Sequence, residues 1–241
     1  MRGVIIVLYL LLSEGVSALV ASKGDVYVPV RSDGAIEVCW ANESLNEKRY
    51  LADTLEHYAV EEFKEANVKL AFYDSCASLK NSKVPISILL NHKNLSKADK
   101  KRLYSLYFGM DMGHPRVFGF GEPTKMREID MVMTYDFHDV RPRLAKQASE
   151  LDDIAKLNLL KSIFVHELTH AIGFFHEQDH KDSDCEFAEG YTEKYHELVT
   201  KYDPDSIMNY CRTRNHNYGM GSIGFSHLDI EGLKIKFNSA N

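Results

Sequence analysis

The stretch His166-Glu167-Leu168-Thr169-His170-Ala171-Ile172-Gly173-Phe174-Phe175-His176 decides the reading of the whole chain. Two imidazoles four residues apart fall on one face of an α-helix, where both can bind a single zinc ion. Glu167 stands between them and can reach a metal-bound water. His176 lies six residues past His170, and a continuing helix would carry it round by about 600°, roughly 240° off the ligand face. The helix must therefore break before it. Gly173 stands where the break is needed, because glycine takes the left-handed conformation at little cost and lets the chain turn back beneath a metal. The expected site holds zinc by His166, His170 and His176, with a fourth position for water.

The residues before this stretch predict the helix that carries it. Ser149-Glu150-Leu151-Asp152 fits a capping box, and Ile154, Leu157, Leu160, Ile163, Phe164, Leu168, Ala171 and Ile172 follow at helical spacing. A helix apolar on nearly all sides belongs in the centre of a molecule, and surface histidines on an ordinary helix would not leave a glutamate buried there. Further upstream, Val26 to Val30 and Ile36 to Trp40 read as strands around a turn at Ser32-Asp33-Gly34. Asn46 to Ala66 reads as a long amphipathic helix bearing Tyr50, Leu51, Leu55, Tyr58, Ala59 and Phe63. Val68 to Tyr73, Pro85 to Asn91 and Ile129 to Tyr135 read as strands, and Ser96 to Phe108 as a second helix. Near the end, Ser226-His227-Leu228-Asp229 opens a last helix through a capping box, with Ile230, Leu233 and Ile235 expected to pack. Strands interleaved with helices predict an α+β fold with a mixed sheet.

The 241 residues are 44% hydrophobic and 27% charged, an ordinary globular composition. A net charge of −6 offers no basic face for phosphates, so nucleic acid is not an expected partner. Met1-Arg2, the apolar run from Gly3 to Leu12 and the small residues after it look like a secretory signal peptide over 1–21, with cleavage after Ala18 or Ala21. Ten apolar residues fall short of the roughly 20 that span a bilayer, so no membrane anchor is expected after cleavage. The remainder, 22–241, is expected to be one secreted, monomeric domain.

Cys39, Cys76, Cys185 and Cys211 all fall in that part, and an even count in an exported chain points to two disulfides among three possible pairings. Cys39 ends an early strand and Cys76 follows the strand after the first long helix, so neighbouring strands would bring them together. A Cys185 to Cys211 bridge would tie the segment after the zinc ligands to the chain near Met208.

His166 to His176 resembles the zinc signature of the metzincin metalloproteases, and Glu177 directly after the third histidine makes it similar to the astacin branch. Ser206-Ile207-Met208-Asn209-Tyr210 is similar to the family's methionine turn, which in animal astacins has His where Asn209 stands. The resemblance implies a two-lobed catalytic domain. Its N-terminal lobe, 22–173, would hold a twisted sheet, a backing helix and the active-site helix, and its smaller irregular C-terminal lobe, 174–241, would end in a helix. It also implies Met208 as a hydrophobic floor under the ligands and Tyr210 as an extra ligand and transition-state donor.

The expected activity is that of a secreted zinc endopeptidase acting on protein or peptide substrates. Hydrolysis would proceed through a zinc-bound water, with Glu167 as general base and Tyr210 as stabiliser of the oxyanion. A serralysin-like placing fits less well, since no glycine-rich calcium repeats occur. A catalytically silent zinc-binding module is the reading from another class, and the retained Glu167 speaks against it.

Overall fold

The computed structural model describes residues 20–22, 31, 33–40, 49–79, 86–90, 131–133, 152–185, 196–209 and 224–238. In chain order these form β1 (Val20–Ser22), β2 (Ala35–Trp40), α1 (Arg49–Glu65), β3 (Lys69–Tyr73), β4 (Ile86–Leu90), β5 (Met131–Met133), α2 (Asp153–Ala171), β6 (His196–Leu198) and α3 (His227–Asn238). Short 3-10 turns follow β3 at Cys76–Leu79 and α2 at Glu177–Asp179. The expected strand over 26–30 and the helix over 96–108 lie outside the described residues.

In β2 every residue except Glu37 is buried, and a strand apolar on both faces has to be covered on both. It lies between β3 and β4, parallel to each, with Val38 opposite Phe72 on one side and Ile86 on the other. β5 extends the sheet past β4, giving the order β3-β2-β4-β5. The fold is α+β as expected, and the described strands of this sheet all run parallel. Parallel neighbours need a long crossover, which α1 supplies between β2 and β3. Antiparallel pairing among the described residues is confined to β1 with β6. A cut after Ala18 would leave β1 whole, whereas one after Ala21 would divide it.

Ala52, Leu55, Ala59 and Phe63 make the buried stripe of α1, which packs on β3 and α2. Tyr50 falls off that stripe and is 81% exposed, so its apolar character does not mark core. Trp40 joins the layers. Its ring stacks on Phe164 of α2 at 6.0 Å, and its Nε1 donates to Glu56 Oε1 of α1 at 2.6 Å, which satisfies the buried N–H. Cys39 pairs in register with Tyr73, so the turn after β3 brings Cys76 alongside, and Cys39 and Cys76 are bonded. In the chain-entropy model a closed loop of this size contributes about 4 kcal/mol. Cys185 is also disulfide-bonded, and Cys211 lies outside the described residues.

α2 starts three residues later than its capping box suggests. Asp152 is the N-cap, its side chain accepting from Ala155 N at 2.7 Å, because an Asp beside the first helical residue caps as well as a Ser. Ile154 is 74% exposed in the first turn, and burial becomes continuous from Phe164 to His170. The helix is apolar nearly all round, yet in its first half only Leu160 is buried in the core. α3 opens as expected, with Ser226 and Asp229 exchanging bonds at 3.0 Å, and buries Leu233, while Ile235 remains exposed.

Candidate metal centre

The geometry of the site begins with how α2 ends. Gly173 has φ +104, its N–H bonds to the His170 carbonyl at 2.8 Å, and the Phe174 N–H reaches back to Thr169 at 3.2 Å. This pair of bonds is the Schellman motif, which requires a residue at positive φ. α1 ends in the same way at Asn67, with φ 59. At Gly173 the reversal turns Phe174 to His176 back along the ligand face of the helix.

As a result the rings of His166, His170 and His176 meet, with centroids 4.6, 5.4 and 4.5 Å apart for the pairs 166–170, 166–176 and 170–176. One nitrogen from each lies within 4.8 Å of the others, and Nε2 of His170 and of His176 are 3.0 Å apart. Nitrogens bound to one zinc at about 2.1 Å sit roughly 3.4 Å from one another, so the three fit such an ion. Backbone carbonyls orient two of the rings. His170 Nδ1 faces the Phe174 carbonyl at 2.7 Å, and His166 Nδ1 faces the Ile207 carbonyl at 2.9 Å. A protonated Nδ1 donating to each carbonyl leaves Nε2 as the ligand atom, the usual arrangement behind a metal-binding histidine.

Glu167 is 3% exposed, and its Oε2 has no hydrogen-bond partner. Burial pushes its carboxyl well above the ordinary pKa. A desolvated carboxyl with an idle oxygen costs stability, which makes Glu167 a candidate functional group.

Ser206, Ile207, Met208 and Asn209 are all buried. The Met208 carbonyl accepts the Glu177 N–H at 2.9 Å, so this turn grips the chain directly after the third histidine as well as the first histidine's ring. Glu177 is fully buried. Its Oε1 accepts the Asp203 N–H at 2.7 Å, and burial pushes its carboxyl up to about 9. Tyr210 lies outside the described residues.

Sequence reasoning missed the acidic scaffold behind the turn. Asp203 ties Asp205 N and the Ser226 hydroxyl to the loop, and Asn209 donates to Tyr202 OH and the Asp203 carbonyl. Asp229 reaches Ser206 and Ile207 from α3. The capping box did mark Asp229, but only as a helix start. His180 is buried beside Tyr202.

No family model matches the chain. A relative named "Zinc metalloproteinase nas-13", from Caenorhabditis elegans, is 32% identical over 106 residues, a match covering 32% of this chain and 24% of that protein. The chain is similar to the astacin-like metzincins. The matched part is about a quarter of that astacin-like relative's length. Among solved structures, "Structure of myroilysin" covers 89% of this chain and 96% of its own at 14% identity, with a TM-score of 0.48. High choriolytic enzyme 1, a hatching-enzyme zinc-protease from Oryzias latipes (medaka fish), covers 87% and 92% at 19% identity, with a TM-score of 0.44.

Proposed function

We propose that the chain is a secreted, astacin-like zinc endopeptidase with His166, His170 and His176 as zinc ligands and Glu167 as general base. The observation that carries this reading is the convergence of three imidazoles around one point, with the residue after the first of them, Glu167, buried and holding an idle oxygen. Bound there, zinc supplies a Lewis acid that polarises a carbonyl and lowers the pKa of water to about 7. Glu167 Oε2 takes a proton from the attacking water and returns it to the leaving amine. Met208 closes the floor of the site. Export is supported by the leader-like first 21 residues and the Cys39–Cys76 bond, and no described helix is long and apolar enough to cross a membrane.

The substrate is a protein or peptide lying extended along β5. That strand is the last in the described sheet order and offers backbone groups for an added strand. Incubating a denatured proteome with the purified chain and mapping new termini tests the reading. Cleavage that a chelator abolishes is expected, and intact substrates with zinc present would overturn it.

Tyr210 donates its hydroxyl to the oxyanion in this scheme. Tyr210→Phe is therefore expected to lower kcat by about a hundredfold with little change in KM, since the bond strengthens only in the transition state. A rise in KM alone would make Tyr210 a substrate-pocket residue.

A further inference from the structure

The carboxylate of Asp229, in the first turn of α3, is buried and collects three donors. Its Oδ1 accepts the Ser206 hydroxyl at 2.6 Å, and its Oδ2 accepts the backbone N–H of Ile207 and of Ser226, each at 3.0 Å. Only the Ser226 bond belongs to the helix cap. The other two hold the methionine turn, and the Ser206 hydroxyl relays the hold by accepting the Met208 N–H at 3.0 Å. The residue so gripped by its N–H, Ile207, presents its carbonyl to His166 Nδ1 at 2.9 Å. An imidazole spins about its χ2 bond unless a partner fixes the ring plane, and here the partner is a backbone carbonyl on a turn with no regular secondary structure of its own.

We propose that Asp229 is a positioning residue for the metal site: it fixes the Ile207 backbone, whose carbonyl sets the ring of His166 and aims its Nε2 at the ion. The proposal rests on the reading of His166, His170 and His176 as zinc ligands. Asp229 touches neither the ion nor a substrate, and its effect passes through two hydrogen bonds. Both are needed, because the Ile207 carbonyl can stay in place only while its own residue is held from behind. An amide at position 229 replaces the carboxylate only in part. Its NH₂ either faces the Ile207 and Ser226 N–H groups or reverses the bond to Ser206, whose hydroxyl already accepts the Met208 N–H.

The test is the zinc affinity of the metal-stripped full chain, measured by titrating Zn²⁺ against a competing chromophoric chelator. The melting temperature is recorded for every variant. Asp229→Asn is expected to raise the zinc Kd by about ten- to a hundredfold, the usual cost of losing an outer partner of a ligating histidine. Leu233→Ala removes a buried side chain of α3 that only packs, so it should lower the melting temperature and leave the Kd unchanged. Ser206→Ala removes one of the three donors and the relay to Met208, and is expected to shift the Kd in the same direction by a smaller factor. It also serves if Asp229→Asn fails to fold. The proposal is overturned if the folded Asp229 or Ser206 variant binds zinc with the wild-type Kd, or if Leu233→Ala weakens binding equally. A wild-type chain that binds no zinc overturns the underlying reading too, and is told apart because no variant is needed to see it.

Discussion

Glu167→Gln is expected to keep its zinc and lose at least about a hundredfold in turnover, the ordinary worth of a general base. The two side chains have nearly the same shape, so the packing of α2 between the sheet and the methionine turn should survive. What goes is proton affinity at an oxygen that has no other partner in the fold. Burial already raises the Glu167 pKa, and a raised pKa favours accepting and holding a proton during the reaction. It also means that the carboxylate is held in the folded chain at a cost, so the amide should not lower stability and a melting curve should exclude unfolding as the cause. Zinc content by elemental analysis, taken with kcat on a peptide cut by the wild type, separates the two effects. Full zinc occupancy with activity within a few-fold of wild type would move the base to another residue.

The parts of the site that were legible in the sequence are those set by local geometry. A spacing of four from His166 to His170 means one helical face wherever the helix sits. Six more to His176 force a break, and Gly173 is the residue that can make it, as its φ of +104 bears out. β2 was legible because its apolar residues, Ile36, Val38, Cys39 and Trp40, follow directly on the turn at Ser32-Asp33-Gly34. Burial of individual side chains was less legible, since periodicity says which residues share a face but not how far the cover extends. Tyr50, Ile154 and Ile235 are apolar, in helices, and exposed. The start of α2 went astray because Ser149 and Asp152 are both good caps, and only the folded chain chooses between them. Asp229 was out of reach for a different reason: its bonds to Ser206 and Ile207 cross more than 20 positions and are made by packing α3 against the turn. No spacing rule encodes such a contact.

Stripping the metal is expected to abolish activity and to leave a folded chain that melts at a lower temperature, with both effects reversed by added zinc. The two histidines on α2 are held by a rigid element, and two carbonyls orient rings in the site, so the stripped chain should keep much of the arrangement. The cost of stripping lies in three imidazoles and a carboxyl left crowded without a counterpart, and in the loss of binding energy that only the folded state enjoys. At free zinc a thousandfold above Kd that linkage is about 4 kcal/mol, a large share of a domain's net stability. His176→Ala tests the same point by substitution. It removes the one ligand that depends on the Gly173 reversal, whereas His227→Ala, at an exposed position on α3, should change neither metal content nor melting. Elemental analysis should return one zinc per wild-type chain and little for His176→Ala. A wild-type chain that holds no zinc, and whose cleavage of peptides is indifferent to chelation, would sink the assignment, because three imidazoles that converge without binding a metal, two of them buried, would then be packing alone.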